Sequence, residues 1–429
     1  MTTRTWIFTQ TSGMAWALAR TMGHVTASRQ DMLVLEDALI FWVPEAINRH
    51  AHPPEYQRDW KRYRWGQLPL MPDMKTMRTP AGKHLLECLK TTLFTNGGAP
   101  EKIILAPAPD AAGFWLMKQI LDLLGLLKIG PECEIWVANL DHFHEKVLHP
   151  AHLKPWRSER LVDAEQCRVH GDWLLGINLT RMLTLANPEQ AGVGCGRVST
   201  PLLQLIQDGP FAEPNIGDGK DFASIQGWFV SRDWPAGAVV LALQWLYEHG
   251  VISYPFGRSA LVLYESGRLT PTLLRRSPSG YPSALHAQIV QFLLGTLRDK
   301  ASGPGRLEQK RLGGLYRRMG QPIGVDADSG SIPAIGSPKS RHKALGRLME
   351  QKLVDSNTVT LTALGRQHLE ATPPVLRDPR LISAWEHSLH RVFLGEIAPM
   401  EFYREVQQFL LASMEYVRNR GAFLTGGSQ

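Results

Sequence analysis

Tyr254 lies in the stretch Pro235 to Ser259, PAGAVVLALQWLYEHGVISYPFGRS, where a helix and a short strand would hand a phenol to a turn. A phenol on such a support could attack a phosphodiester and stay on it as a phosphotyrosine. Taken alone, a tyrosine is most often a core or surface residue, so other stretches must decide. Asp110 ends the apolar run KIILAPAPD, 102–110. An acidic residue at a strand end often holds a metal, but one carboxylate is a thin cage for a hard cation. His142, His144, His149 and His152 crowd into DHFHEKVLHPAH. Their spacing does not resemble a zinc site and reads as surface histidines. GCGRVSTP, 194–201, offers glycine-rich backbone N–H groups and Arg197 to a phosphate. PPEYQRDWKRYRWGQLPLMPD, 53–73, interleaves Tyr56, Trp60, Tyr63 and Trp65 with Lys61, Arg62 and Arg64. Such a stretch can stack bases and neutralise phosphates, or tuck its aromatics into a core.

The elements that must position these groups can be read from spacing. Pro235 suits a first helical position, and Val239, Leu243, Leu246 and Tyr247 recur on one helical face. Gly250 is placed like a helix C-cap, and 251–254 then predicts a strand ending at Tyr254. Residues 5–23 predict a first βα unit, 33–43 paired strands, and 102–127 a strand, a loop and a helix. The helix over 167–185 carries Asp172, Asn178, Thr180 and Arg181 amid apolar neighbours. The turn-rich 208–221 is a seam between domains, and the Gly-rich, basic 299–318 is a second seam or a phosphate-facing surface. Ser340 to Leu369 reads as helix, turn, two short strands and helix, a winged-helix-like order, and 379–418 as an amphipathic helical stretch.

With 429 residues the chain can form two or three domains. A formal net charge of +7 gives a modest hint of a polyanionic partner. No apolar run of membrane-spanning length occurs, and MTTRTWIFTQ has no signal-peptide pattern. Cys88, Cys133, Cys167 and Cys195 form no C-x-x-C pair, so neither a zinc ribbon nor a disulfide scaffold is expected. The setting reads as cytoplasmic and reducing.

Six stretches, in order, resemble type IA DNA topoisomerases, closest to the topoisomerase III branch. GDWLLGINLTR is similar to the family's D-W-L-x-G-x-N-x-T-R helix, and GRVSTP to G-R-V-Q-T-P. LQWLYEHGVISYP resembles the unit that delivers the nucleophile, and IGSPKSR resembles I-G-T-P-A-T-R. LTALGRQHL and DPRLISAWEHSLHRVFLGEIAPMEFYREV resemble the closing motifs. The resemblance implies an α/β plus α fold. A Toprim-like domain would span 1–152 and the first part of a DNA-groove base domain 153–210. A reduced gate remnant would span 211–224, a winged-helix-like tyrosine domain 225–300 and a reduced gate return 301–325. The second part of the base would span 326–420, with a flexible tail over 421–429. Tyr254 is then the nucleophile that makes a 5′-phosphotyrosine. Asp172, Asn178, Arg181, Arg197, Thr200 and Arg341 would line a single-stranded DNA groove.

The departures from the family are as specific. The family's E-K-P-S turn is here Gln10, Thr11, Ser12 and Gly13, so the metal Glu is an amide and the proton-donating Lys is Thr11. Of the acidic residues in its D-P-D-R-E-G-E only Asp110 survives, which implies a degenerate Toprim site (Gln10, Thr11, Asp110) with Mg²⁺ bound weakly or not at all. The arginine of Y-P-R-T-D-S is absent from its place, and Arg258, two positions on, is the candidate to replace it. The shortened gate implies no hole wide enough for duplex DNA.

Two readings follow. One is a metal-independent DNA strand transesterase that nicks and rejoins through Tyr254, as a relaxase does in conjugation or on a mobile genetic element. The other is a catalytically inactive homologue that binds single-stranded DNA. Ordinary metal-dependent relaxation ranks below both. Single-stranded DNA is the expected partner, with DNA-transfer or replication proteins as candidates and no membrane.

Overall fold

The computed structural model describes residues 5–29, 31–43, 46–95, 98–129, 133–143, 146–157, 159–187, 194–215, 219–257, 260–264, 283–297, 307–321, 323 and 334–425. Its first third is a mixed sheet built from β1 (Thr5–Thr9), β2 (Val25–Arg29), β3 (Met32–Leu35), β4 (Ala38–Trp42), β7 (Lys102–Leu105), β8 (Glu134–Val137) and β9 (Lys154–Pro155). A separate small pair is formed by β5 (Asn48–His50) and β6 (Thr76–Arg78). The sheet order is β2-β3-β4-β1-β7-β8-β9, with β4, β1, β7 and β8 parallel to one another and antiparallel pairs outside them.

The period of two along the central strands splits this sheet into two buried faces. Ile7, Ile40 and Ile104 face α1 (Ser12–Met22), whose Met14 and Leu18 pack on them. Trp6, Phe8, Leu39, Phe41, Ile103 and Leu105 face the other way. They meet Leu85 and Leu89 of α3 (Pro80–Thr95) and Met117 and Ile120 of α4 (Ala111–Leu126), which follows the short α2 (Pro53–Tyr56) and α3 in the chain. Phe8 and Phe41 stack with centroids 5.1 Å apart. Burying each such ring contributes roughly 1.5–3 kcal/mol.

The rest of the chain is mainly helical. The helices are α5 (Glu159–Ala186), α6 (Ser199–Asp208), α7 (Phe222–Val230), α8 (Ala236–Glu248), α9 (Ser283–Leu294) and α10 (Leu307–Met319). After them come α11 (Arg341–Glu350), α12 (Ala363–Ala371), α13 (Pro374–Arg377), α14 (Arg380–Leu394) and α15 (Pro399–Thr425). Between α11 and α12 lies the antiparallel pair β10 (Val354–Asp355) and β11 (Thr360–Leu361). α5, α14 and α15 share one core, and α6, α10, α11 and α12 share another.

The core around α7, α8 and α9 is continuous with the α1 face of the sheet: Leu243, Leu246 and Tyr247 belong to the same apolar cluster as Ile7 and Leu18. α7 and α10 approach through glycines. A Cβ on Gly227 would lie 2.7 Å from the Gly313 carbonyl oxygen, and one on Gly313 would lie 2.4 Å from that of Gly227. This contact joins the two chain passes on either side of the tyrosine unit.

Several expectations shift in detail. Pro235 is the N-cap of α8 rather than its first residue, while Gly250 does take a left-handed φ of 69° just past the helix end. The strand expected over 251–254 is a single antiparallel bridge, Ile252 to Leu263. Pro255 ends the run one residue after Tyr254, leaving too little chain for a ladder. The stretch 379–418 is two helices, because Gly395 at φ +76° caps α14. Within 53–73 the partly buried Trp60 and Trp65 pack on the α5 core, while Tyr63 is exposed.

Candidate active site

β1 and β7 are adjacent and parallel, and the helices that follow them lie on opposite faces of the sheet. Their carboxyl ends therefore flank the crevice where open α/β sheets place ligands. On one side, Thr11 is the N-cap of α1 and accepts from the Met14 N–H at 3.0 Å. On the other, Asp110 is the N-cap of α4, its Oδ1 accepting from the Gly113 N–H at 2.7 Å. Gly113 is required there, since a Cβ would come within 2.3 Å of the Ala108 carbonyl oxygen.

Tyr254 closes onto that crevice. Its hydroxyl donates to Asp110 Oδ2. Its own N–H donates to the Asp141 carbonyl at 2.9 Å, and its ring meets Tyr247 and Phe256 edge-on at 5.3 and 5.6 Å. Tyr247, fully buried, anchors the unit by donating to the Leu140 carbonyl. Tyr254 is only 8% exposed. Burial, and then the negative charge of Asp110, push its phenol pKa well above the ordinary value. The phenol is thus a neutral donor whose proton already points at a base.

Lys339 completes the cluster from the turn that leads into α11. Its Nζ lies 3.4 Å from Asp110 Oδ2 and sits over the rings of Tyr254 and Phe256 at 5.2 and 4.9 Å. A second carboxylate, Glu248 of α8, reaches across to the end of β1. It accepts from Thr11 Oγ1 at 2.5 Å and from Gln244 at 2.7 Å, and its backbone carbonyl accepts from Arg20 at 2.9 Å. Burial raises the Glu248 pKa. The carboxylate fills the space beside Gly13, where a Cβ would lie 1.8 Å from Glu248 Oε2.

The donors do not fit a divalent cation. Asp110 spends Oδ1 on a backbone N–H and Oδ2 on a hydroxyl and an ammonium. Gln10, half-buried at the bend after β1, brings no charge. No group of three His, Cys, Asp or Glu suited to a metal occurs among the described residues. A hard cation needs several oxygen ligands, and an ammonium beside the carboxylate opposes it. Arg258 lies outside the described residues.

Of the residues expected along the DNA groove, Asp172, Asn178 and Arg181 lie on α5 and Arg197 and Thr200 contact it or the turn beside it, whereas Arg341 begins α11. Arg197 is buried and forks onto Asp172 at 2.7 and 3.1 Å, with Glu386 on its third nitrogen at 2.9 Å. Asp172 also takes Arg168 at 3.1 Å. Asn178, fully buried, accepts from the Leu70 N–H at 2.6 Å and donates to the Leu70 carbonyl at 3.0 Å. Arg181 donates to the Trp60 carbonyl at 2.6 Å under the Tyr63 ring. Thr200 is buried against Cys195 Sγ at 3.2 Å, and Arg341 donates to the Ile335 carbonyl at 3.1 Å. Arg181, Arg197 and Arg341 thus brace the 53–73 segment, α14 and the turn that carries Lys339. Among the histidines, His142 stacks on Tyr264 at 3.6 Å.

Lys339 and Glu248 are the site residues that sequence reasoning passed over. A signal for Lys339 was present: in IGSPKSR it stands where the similar I-G-T-P-A-T-R has alanine. Glu248 carries no local signal, since its partner Thr11 is 237 positions away.

DNA topoisomerase 3 of Staphylococcus aureus strains USA300, NCTC 8325 / PS 47 and MRSA252 is 28% identical to this chain over 172 residues. The chain is related to DNA topoisomerase 3. The match takes in 39% of this chain and 23% of each relative. No family model matches. The mixed, centrally parallel sheet followed by helical units is compatible with the topoisomerase III-like relationship. Among the described residues, no helix is long and apolar enough to cross a membrane.

Proposed function

We propose that this chain binds single-stranded DNA and cuts and reseals it through Tyr254, without passing a second strand. The observation that carries this reading is the Tyr254 hydroxyl donating to Asp110 at the carboxyl ends of β1 and β7. A phenol is a weak nucleophile until a base takes its proton, and here the base is already within hydrogen-bond reach. The leaving oxygen is O3′ of the upstream strand, so the downstream strand stays on Tyr254 through its 5′ phosphate.

Positioning and charge can drive such a transfer without a metal. The winged-helix-like order of α11, β10, β11 and α12 suits a nucleic-acid surface. The chain runs from the end of α6 at Asp208 to the start of α7 at Phe222 with little room for an arch. That favours nicking, as a relaxase does on conjugative or other mobile DNA, over duplex passage. Asp172, Asn178, Arg181, Arg197, Thr200 and Arg341 would shape the groove from within, by fixing the segments that touch DNA.

One observation favours the second reading, a binder that has lost catalysis: Tyr254 is buried to 8% exposure with its hydroxyl already engaged. The experiment that separates them mixes the protein with labelled single-stranded oligonucleotides in EDTA and then denatures it. A covalent adduct lost in Tyr254→Phe supports cleavage. Salt-sensitive binding with no adduct supports the binder.

A further inference from the structure

Cleavage through Tyr254 forms an Oη–phosphorus bond and breaks the phosphorus–O3′ bond. The phenol must lose one proton and O3′ must gain one. We propose that Asp110 and Lys339 form the relay that carries that proton, so that Lys339 is the acid for the leaving strand. This deepens the reading of Tyr254 as nucleophile and rests on it.

The geometry supplies each link. The Tyr254 hydroxyl and the Lys339 ammonium meet at the same oxygen, Asp110 Oδ2. Asp110 takes the phenol proton as the new bond forms. Lys339 gives a proton to O3′ as the old bond breaks. The 3.4 Å contact then returns the proton from Asp110 to Lys339, and both groups regain their charges. No co-reactant is consumed, and resealing runs the same steps backwards. While charged, the ammonium also offsets the negative charge on the phosphate.

Two further features fit this role. The Lys339 and Asp110 side chains are 40% and 29% exposed, so the relay opens to solvent although the Tyr254 ring is buried. An ion pair that exposed contributes little stability, so packing does not explain it. The turn that carries it is nonetheless fixed from several sides. Ile335 N–H donates to Met319 at 2.9 Å, Ser340 and Arg341 N–H groups donate to Ser337 at 3.0 and 3.1 Å, and Gly336 takes a left-handed φ of 70°. Among the described residues Lys339 is the cation on Asp110, at a centre where Thr11 caps the helix that follows β1.

The test is single-turnover cleavage of an oligonucleotide whose scissile O3′ is replaced by sulfur. A thiolate leaves without an acid, so a variant lacking only the acid is rescued. Lys339→Ala is expected to slow adduct formation on the ordinary oligonucleotide about 100-fold, the low end for lost acid catalysis. On the sulfur substrate it is expected to come within a few-fold of the unaltered protein. Equal slowing on both substrates, or no slowing on either, overturns the relay while leaving Tyr254 cleavage standing. If the unaltered protein forms no adduct on either substrate, the nucleophile reading and the relay fall together.

Discussion

The hydroxyl of Tyr254 donates to the carboxylate of Asp110, a residue 144 positions earlier that caps the helix after β7. One bond thereby joins the α8 unit to the sheet at the crevice between β1 and β7. It leaves the phenol neutral, buried and aimed at a base. The consequences can be tested one residue at a time.

Asp110→Asn keeps an N-cap side chain for α4 but replaces the charged acceptor of the Tyr254 hydroxyl by an amide, so stability should fall by about 1–3 kcal/mol. The base is gone, however, and adduct formation should slow by about 10²–10⁴-fold. Thermal unfolding and single-turnover cleavage measure the two effects side by side. Cleavage at the original rate would remove Asp110 from the chemistry.

Arg197→Ala should destabilise the fold by about 1–3 kcal/mol, because Asp172, which keeps Arg168, and Glu386 lose the buried cation they share. Arg197→Lys should recover only part of this, since an ammonium cannot fork onto Asp172. Denaturant unfolding gives the values. An unfolding curve unmoved by Arg197→Ala would mean that the buried network does not brace α5 against α14.

Asn178→Ala removes the acceptor for the Leu70 N–H and the donor to its carbonyl, deep in the interior. Unpaired buried groups of this kind cost about 1–3 kcal/mol each. The Leu70 amide should exchange with solvent markedly faster in the variant. Unchanged protection at Leu70 would show that this pairing is not what holds the 53–73 segment.

Acid should weaken the fold through buried histidines. Burial lowers the pKa of His170, His249 and His368 from the ordinary 6.5 to about 4. A depressed value means that the unfolded chain binds protons first as pH falls through 6.5, while the folded chain refuses them until about 4. Their contribution is therefore full above 6.5 and is lost progressively towards 4. The melting temperature should drop across that interval, and a flat profile would contradict the assignment.

How much of this was legible beforehand depended on whether the signal was local. β1, α1, β7 and α4 follow from apolar runs, turn residues and caps within a few positions, and the structure has them where the sequence predicts. The left-handed Gly250 was legible for the same reason. Tyr254 and Asp110 could each be singled out, but not their bond, because register between distant segments is set by packing. Lys339 did carry a signal, standing where I-G-T-P-A-T-R has alanine, but the local pattern of its turn speaks only of a helix start and not of the contact with Asp110. The roles of Asn178 and Arg181 were hidden. A polar residue on a helix gives no sign of whether it faces a ligand or, like these, a backbone segment more than a hundred positions away.

The most direct measurement asks which DNA end stays on the protein. An oligonucleotide labelled at its 3′ end or its 5′ end is incubated in EDTA, denatured and digested, and the modified peptide is sequenced. The 3′ label is expected on a peptide containing Tyr254, with the 5′ label released on a fragment ending in a free 3′ hydroxyl. Retention of the 5′ label, attachment at another residue, or no adduct at all would contradict it.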